Sequence, residues 1–241
     1  MRSEVRKLPA LFLERLRKIV PKNKSDEIAN TFTEAKPTTF RINSLKISPA
    51  RVRETLEREG FRLKSVSWYP DAFILARGRL KELEQTEIYR NGEIYVQGLS
   101  GMIPPLVLGP KPGEHVLDLA AAPGSKTTQM ACLMKWEGTI IAVESDSIRF
   151  AKLKANIERQ GAWNVETVLG YGESVAKKYP ARFDKIVVDA PCSTEGRFQT
   201  REPSSYRYWS LEKVRKAAKL QKKLLGAAFA ALKPGGVCVY S

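Results

Sequence analysis

Residues Val116-Leu117-Asp118-Leu119-Ala120-Ala121-Ala122-Pro123-Gly124-Ser125-Lys126 decide the fold of this 241-residue chain. An apolar run of strand length is broken by Pro123 and Gly124, and Ser125 opens a helix. Outward from this stretch the same alternation continues: strand Thr139 to Glu144, helix Ser147 to Gln160, strand Val165 to Leu169, a further helix, strand Lys185 to Asp189, helix Leu211 to Leu232 and strand Val237 to Tyr240. Apolar strands joined by crossover helices predict an α/β fold with a doubly wound parallel sheet covered on both faces.

Upstream the pattern changes. Val5, Leu8, Leu11, Phe12, Leu16 and Ile19 recur near helical spacing, predicting an amphipathic helix over residues 4–19 that Pro21 ends, and Ser25 starts another. After Lys36-Pro37, Thr38 to Asn43 alternates like a strand, Pro49 to Gly60 reads as a helix, and Phe61 to Trp68, Ala72 to Leu75 and Glu93 to Gln97 read as short strands. The expected organisation is an N-terminal helical segment (1–36), a small α+β domain of RRM or ferredoxin-like kind (37–98) and the α/β domain (99–241). There is no internal repeat.

Lys and Arg number 41 against 26 Asp and Glu, a net charge of +15, which favours a polyanionic partner, nucleic acid first. No apolar run is long enough to cross a bilayer, and Met1-Arg2-Ser3-Glu4 leads into a charged amphipathic stretch, so a cytoplasmic protein without membrane contact is expected. Cys132, Cys192 and Cys238 lack CxxC spacing, and His115 is the sole histidine, which argues against disulfides and a metal site.

In open α/β sheets ligands bind beyond the carboxyl ends of the strands. There, Asp118 to Lys126 offers small residues and the free N–H groups of a helix start to an anion. Glu144, 20 residues beyond Gly124, is placed to accept the hydroxyls of a ribose. Together they outline an adenosine-containing cofactor. A G-x-G-x-x-G fingerprint is absent, and Gly124-Ser125-Lys126-Thr127 resembles only the tail of a P-loop.

A further strand ends Val187-Val188-Asp189-Ala190-Pro191-Cys192-Ser193, bringing a carboxylate and a thiol to the same rim. Carbon 5 of a pyrimidine is a poor nucleophile and is activated when a thiolate adds to carbon 6, while a nearby acid can hold the base edge. Cys192 is thus a candidate thiol and Asp189 a candidate acid, against the alternative of a structural thiol, which is the preferred reading of Cys132 and Cys238. Arg197 to Arg207, with Phe198, Tyr206, Tyr208 and Trp209, offers cations and stacking faces to a splayed RNA base, or is an ordinary solvated loop.

The series Arg41-Ile42-Asn43-Ser44-Leu45-Lys46, Val96-Gln97-Gly98-Leu99-Ser100-Gly101-Met102, Ala120 to Lys126 and Asp189-Ala190-Pro191-Cys192-Ser193 resembles the Sun/Fmu-type RNA cytosine-5 methyltransferases over roughly residues 37–241, the branch acting on bacterial 16S rRNA in particular. The resemblance implies a Rossmann-like S-adenosylmethionine methyltransferase sheet behind a small α+β RNA-binding domain. It also implies that Ala120 to Lys126 cradles the methionine part of S-adenosyl-L-methionine, that Glu144 holds the ribose with Arg149 supporting it, and that Asp189 contacts cofactor and base. The implied substrate is rRNA, with tRNA as the alternative, and Arg41, Lys46, Arg51 and Arg53 are expected to grip its backbone.

In that family the nucleophile is a second cysteine following a Tyr-Ser-Thr, and the cysteine equivalent to Cys192 assists product release. Here Val239-Tyr240-Ser241 is the end of the sequence as given, so the sheet is expected to lack its C-terminal strands and the chain as given to be inactive. A non-catalytic RNA-binding or assembly protein, and Cys192 acting directly as nucleophile as in DNA cytosine-5 methyltransferases, are the competing readings. The family usually has an Asp near the adenine where this chain has Gly170-Tyr171-Gly172-Glu173; Tyr171 stacking on the adenine, or Glu173 replacing the acid, is the expected substitute.

Overall fold

Every residue of strand β1 (Thr39–Ile42) is buried, and the reason organises the molecule. In a strand successive side chains point to opposite faces. Phe40 and Ile42 pack with Val52, Leu56, Phe73 and Leu83 into one core, while Arg41 and Asn43 leave the other face toward a second layer. The structure is a computed structural model that describes residues 3–241; Met1 and Arg2, the start of the charged N-terminal stretch, lie outside them.

Two compact units form, one from Met1–Lys36 and Pro191–Leu220, the other from Pro37–Ala190 and Gln221–Ser241. In the larger unit, helix α3 (Pro49–Arg58), capped by Ser48, strands β2 (Arg62–Val66) and β3 (Tyr69–Arg77), and strand β4 (Ile94–Val96) complete an antiparallel sheet of order β2-β3-β1-β4. Two single-turn helices, α4 (Leu80–Leu83) and α5 (Glu87–Arg90), join β3 to β4.

Helix α6 (Leu99–Leu108) follows, where the sequence reading has no element; it contains Pro104 and Pro105, residues that disfavour a helix interior. The parallel sheet then runs as expected: β5 (His115–Asp118), α7 (Ser125–Leu133), β6 (Thr139–Glu144), α8 (Ser147–Gln160), β7 (Val165–Leu169), α9 (Gly172–Ala176), β8 (Phe183–Val188), α10 (Leu211–Ala231) and β9 (Leu232–Tyr240). All strand pairs are parallel in the order β7-β6-β5-β8-β9. The connections from β5 and β8 leave in opposite directions, so the topological switch point lies between these neighbours.

The smaller unit joins α1 (Ala10–Ile19) and α2 (Ser25–Thr31) to the 191–220 segment. The single helix expected over residues 4–19 is split: Ser3–Lys7 forms a 3₁₀ turn and Pro9 caps α1, since a proline cannot continue a helix through its own missing N–H. Val5, Leu8, Phe12, Leu16 and Ala29 share a core with Phe198 and Tyr206, so the first 36 residues are not a separate segment. Among the described residues no helix is long and apolar enough to cross a membrane.

Arg41, expected on RNA, is 0% exposed. Its Nε donates to Gln97 Oε1 (3.0 Å), and its Nη2 donates to Thr128 Oγ1 (2.6 Å) and to the Ser125 carbonyl (3.2 Å), with the Tyr95 ring 5.0 Å away. Lys46 is engaged too, donating to the carbonyls of Asn91 and Arg159 at 2.8 Å each. Arg51 and Arg53 pair with Glu54 and Glu57 on their own helix. A cation needed to hold two layers together is withdrawn from solvent, which the period of the strand alone does not reveal.

Removing the Arg41 side chain leaves the buried Gln97 Oε1 and Thr128 Oγ1 without this donor. The Arg41→Ala variant is expected to lose about 3 kcal/mol of stability in urea unfolding, whereas Arg51→Ala, an exposed i,i+3 pair, changes it by less than about 0.5 kcal/mol.

Candidate functional site

The loop between β5 and α7 is fastened from below and from both sides. Asp118, 1% exposed at the end of β5, accepts from Thr127 Oγ1 (2.7 Å) and from the Ala120 N–H (3.4 Å). Burial pushes its pKa up to about 6, against the opposing pull of the Thr127 hydrogen bond. Three side chains take the loop carbonyls: Arg149 Nη2 donates to Ala122 O (2.6 Å), Asn156 Nδ2 to Pro123 O (2.8 Å), and Tyr95 Oη to Pro123 O (3.4 Å).

Gly124 sits at φ +102°, and a Cβ there would meet Leu153 Cδ1 at 3.1 Å, so the turn into α7 requires glycine. No side chain caps α7. Its first N–H groups therefore face outward without intrahelical acceptors, suited to a carboxylate or phosphate.

Glu144 ends β6 at 3% exposure. Its Oε1 accepts from the N–H groups of Ser145 (2.8 Å) and Asp146 (2.9 Å). Its Oε2 is buried and finds no hydrogen-bond donor among the described residues, the nearest cation being Arg149 Nη1 at 3.4 Å. A carboxylate oxygen held at a strand end without a donor is an acceptor waiting for hydroxyl groups. Arg149 thus touches both the loop and the acid. Tyr171 lies beyond β7, 67% exposed, at a turn fixed by the Gly170 N–H on Glu144 O (2.8 Å). The same turn needs Gly172, whose Cβ would stand 2.4 Å from Leu119 O.

Asp189, just past β8, accepts from Lys126 Nζ at 2.6 Å and from Ser241 Oγ at 3.0 Å. The pairing of β8 with β5 brings the ends of these strands side by side. Ala120, Ala121, Ala122, Pro123, Gly124, Ser125, Lys126, Glu144, Arg149, Tyr171 and Asp189 therefore all belong to the larger unit, on or just beyond its strand ends.

Cys192 belongs to the smaller unit, where it is exposed and lines a hollow of about 290 Å³ with Ser193, Tyr208, Trp209 and Lys213. Of the four aromatic residues read as stacking faces, Phe198 (0% exposed) and Tyr206 (9%) are core, and Trp209 is half-buried with its Nε1 on Glu195 Oε1 (2.8 Å). Tyr208 alone of the four is exposed.

Sequence reasoning did not reach the loop's carbonyl latches. One signal was available: Arg149 and Asn156 are seven positions apart on α8, two turns, hence on one face. Tyr95 and Thr127 gave none, since both look like ordinary element residues.

Comparison with known proteins gives a consistent picture. The family described as 16S rRNA methyltransferase RsmB/F matches residues 105–241, and the N-terminal domain of 16S rRNA methyltransferase RsmF matches residues 8–98. Ribosomal RNA small subunit methyltransferase F of Serratia proteamaculans is 38% identical over 97% of this chain and 50% of its own length. The tRNA (cytosine(49)-C(5))-methyltransferase of Pyrococcus abyssi is 39% identical over 100% of this chain and 75% of its own. A crystal structure of a methyltransferase homologue from Pyrococcus horikoshii superposes with a TM-score of 0.84 at 33% identity, covering 100% of this chain and 76% of that one. The chain spans about half the length of the bacterial relatives it matches.

The buried carboxyl of Asp118 has a signature in stability. Between pH about 4 and about 6 the folded chain holds a proton that the unfolded chain has released, so this residue's contribution is present in full at lower pH and is lost as pH rises through 6. In thermal melts across that interval, the stability of Asp118→Asn relative to the parent chain is expected to rise with pH; a difference independent of pH would mean that Asp118 is ionised throughout.

Proposed function

The chain belongs to the RsmB/F family of 16S rRNA methyltransferases, and on that premise we propose that it binds S-adenosylmethionine on the Ala120 to Lys126 loop and serves methylation of carbon 5 of a cytosine in small-subunit ribosomal RNA. The observation that carries this reading is Glu144 Oε2, a buried acceptor without a donor at the end of β6.

The residues fit the cofactor. Glu144 accepts the ribose hydroxyls, kept in place by two backbone N–H groups and Arg149. The uncapped start of α7 takes the carboxylate of the methionine part, and Gly124 allows close backbone approach. Tyr171 offers an exposed ring to the adenine. When bound, the cofactor supplies a methyl group on a sulfonium, an electrophile that needs an electron-rich ring carbon.

Asp189 serves the base. With one oxygen on Lys126 and the other on Ser241, its carboxylate is oriented, and we assign it to hold the cytosine edge while charge builds on the ring. Addition of a thiolate at carbon 6 activates carbon 5. Cys192, exposed in its hollow, acts as base or helper when that thiolate leaves. The 39% identity to a tRNA cytosine-5 methyltransferase supports a second reading with tRNA as substrate.

Glu144→Ala is expected to weaken S-adenosylmethionine binding in calorimetry by more than about tenfold, two hydrogen bonds to a charged acceptor being lost. Disrupting the gene is expected to remove one 5-methylcytidine from small-subunit rRNA, read by bisulfite sequencing. Loss from tRNA instead makes the tRNA reading correct, and no change in either RNA overturns both.

A further inference from the structure

The positive charge is unevenly placed. The smaller unit carries 16 of the 41 Lys and Arg and 8 of the 26 Asp and Glu, so 8 of the 15 surplus charges sit on little more than a quarter of the chain. Of the four cations expected to grip RNA, by contrast, Arg41 is buried, Lys46 is held by two carbonyls, and Arg51 and Arg53 face glutamates.

Within the smaller unit one residue combines the two features that single-stranded nucleic acid needs. Tyr208 is 65% exposed, and it carries Arg207 at 4.4 Å and Lys213 at 5.6 Å from its ring centre. Neither cation makes an ion pair with a described carboxylate. Its neighbours in sequence do not share this exposure, since Tyr206 and Trp209 are held by the core formed with Phe12 and Phe198. A lone exposed tyrosine is ordinary. An exposed ring flanked by two unpaired cations, in the wall of the hollow that holds the Cys192 thiol, is matched to an unpaired base between two phosphates.

We propose that Tyr208 is a stacking platform for an unpaired base of the RNA, with Arg207 and Lys213 neutralising neighbouring phosphates. The proposal rests on RNA being the substrate, and it moves the RNA grip from Arg41, Lys46, Arg51 and Arg53 to the smaller unit. Stacking is indifferent to base identity, so this subsite selects single strands over duplexes rather than one sequence over another.

The test uses the full chain and a fluorescein-labelled, cytosine-containing oligoribonucleotide, single-stranded or annealed to its complement, in anisotropy titrations over a salt series. Tyr208→Ala is expected to weaken single-strand binding about tenfold with an unchanged salt slope. Tyr208→Phe keeps the ring and stays near the parent affinity, which separates stacking from folding and from the hydroxyl. Lys213→Ala is expected to reduce the log–log salt slope by about one, and Arg51→Ala leaves both affinity and slope alone. Parent-like binding by Tyr208→Ala, a loss in Tyr208→Phe equal to that in Tyr208→Ala, or duplex binding as tight as single-strand binding overturns the platform while leaving the RNA reading intact. Failure of the parent chain to bind either RNA, or equal competition by polyglutamate, overturns the RNA reading and the platform with it.

Discussion

A guanidinium buried among neutral oxygens is the constraint on which the larger unit depends. Taking an arginine out of water costs several kcal/mol unless its donors are satisfied. Here Arg41 Nε and Nη2 donate to an amide oxygen, a hydroxyl and a carbonyl, with an aromatic ring alongside, while Nη1 is buried with no acceptor among the described residues. Two of the three belong to α7, and the Thr128 hydroxyl that receives Arg41 itself donates to Gly124 O at 2.6 Å. A strand of the antiparallel sheet thereby sets the position of the glycine where the loop turns into the helix. Asn43, two residues on, repeats the device by donating to Gln160 O at 2.8 Å at the end of α8. The two sheets are joined through polar side chains of one strand, so the loop's geometry is a property of both.

That arrangement explains why some of the fold was legible in the sequence and some was not. Strands β6 and β7 and helix α8 fall on the expected residues because each carries its own local signals. Buried parallel strands are apolar runs, Asp146 caps α8 through Arg149 N at 2.8 Å, and Gly161 closes it in the left-handed conformation. Helix α6 was illegible because two prolines in ten residues argue against a helix locally, while Met102 and Leu108 are held by packing that only the folded chain supplies. Arg41 misled for a related reason. Alternation assigns a side chain to a face, and it does not say what covers that face.

The candidate site divides along the same line. Glu144 and the glycine turn were readable, since a strand end followed by small residues or an acid is a local pattern. The latches on Ala122 and Pro123 were not, because Arg149, Asn156 and Tyr95 come from two other elements and meet the loop only in three dimensions. Nor was the distribution of the aromatics in the 191–220 segment: four rings within twelve residues look equivalent until a core claims three of them.

Charge obeys the same logic as hydrophobicity, in that composition counts what a chain has and only the structure says what is left to act. Arg41, Lys46, Arg51 and Arg53 are engaged with carbonyls, hydroxyls and glutamates, and each such contact lowers what that residue can offer a phosphate. Arg207 and Lys213 face a ring instead, an interaction that holds the cation without neutralising it. An aromatic partner keeps a positive side chain ordered while preserving its long-range field. The surplus charge that reaches a polyanion is therefore set by the choice of partner for each cation, and Arg207 and Lys213 have a partner that leaves their charge available.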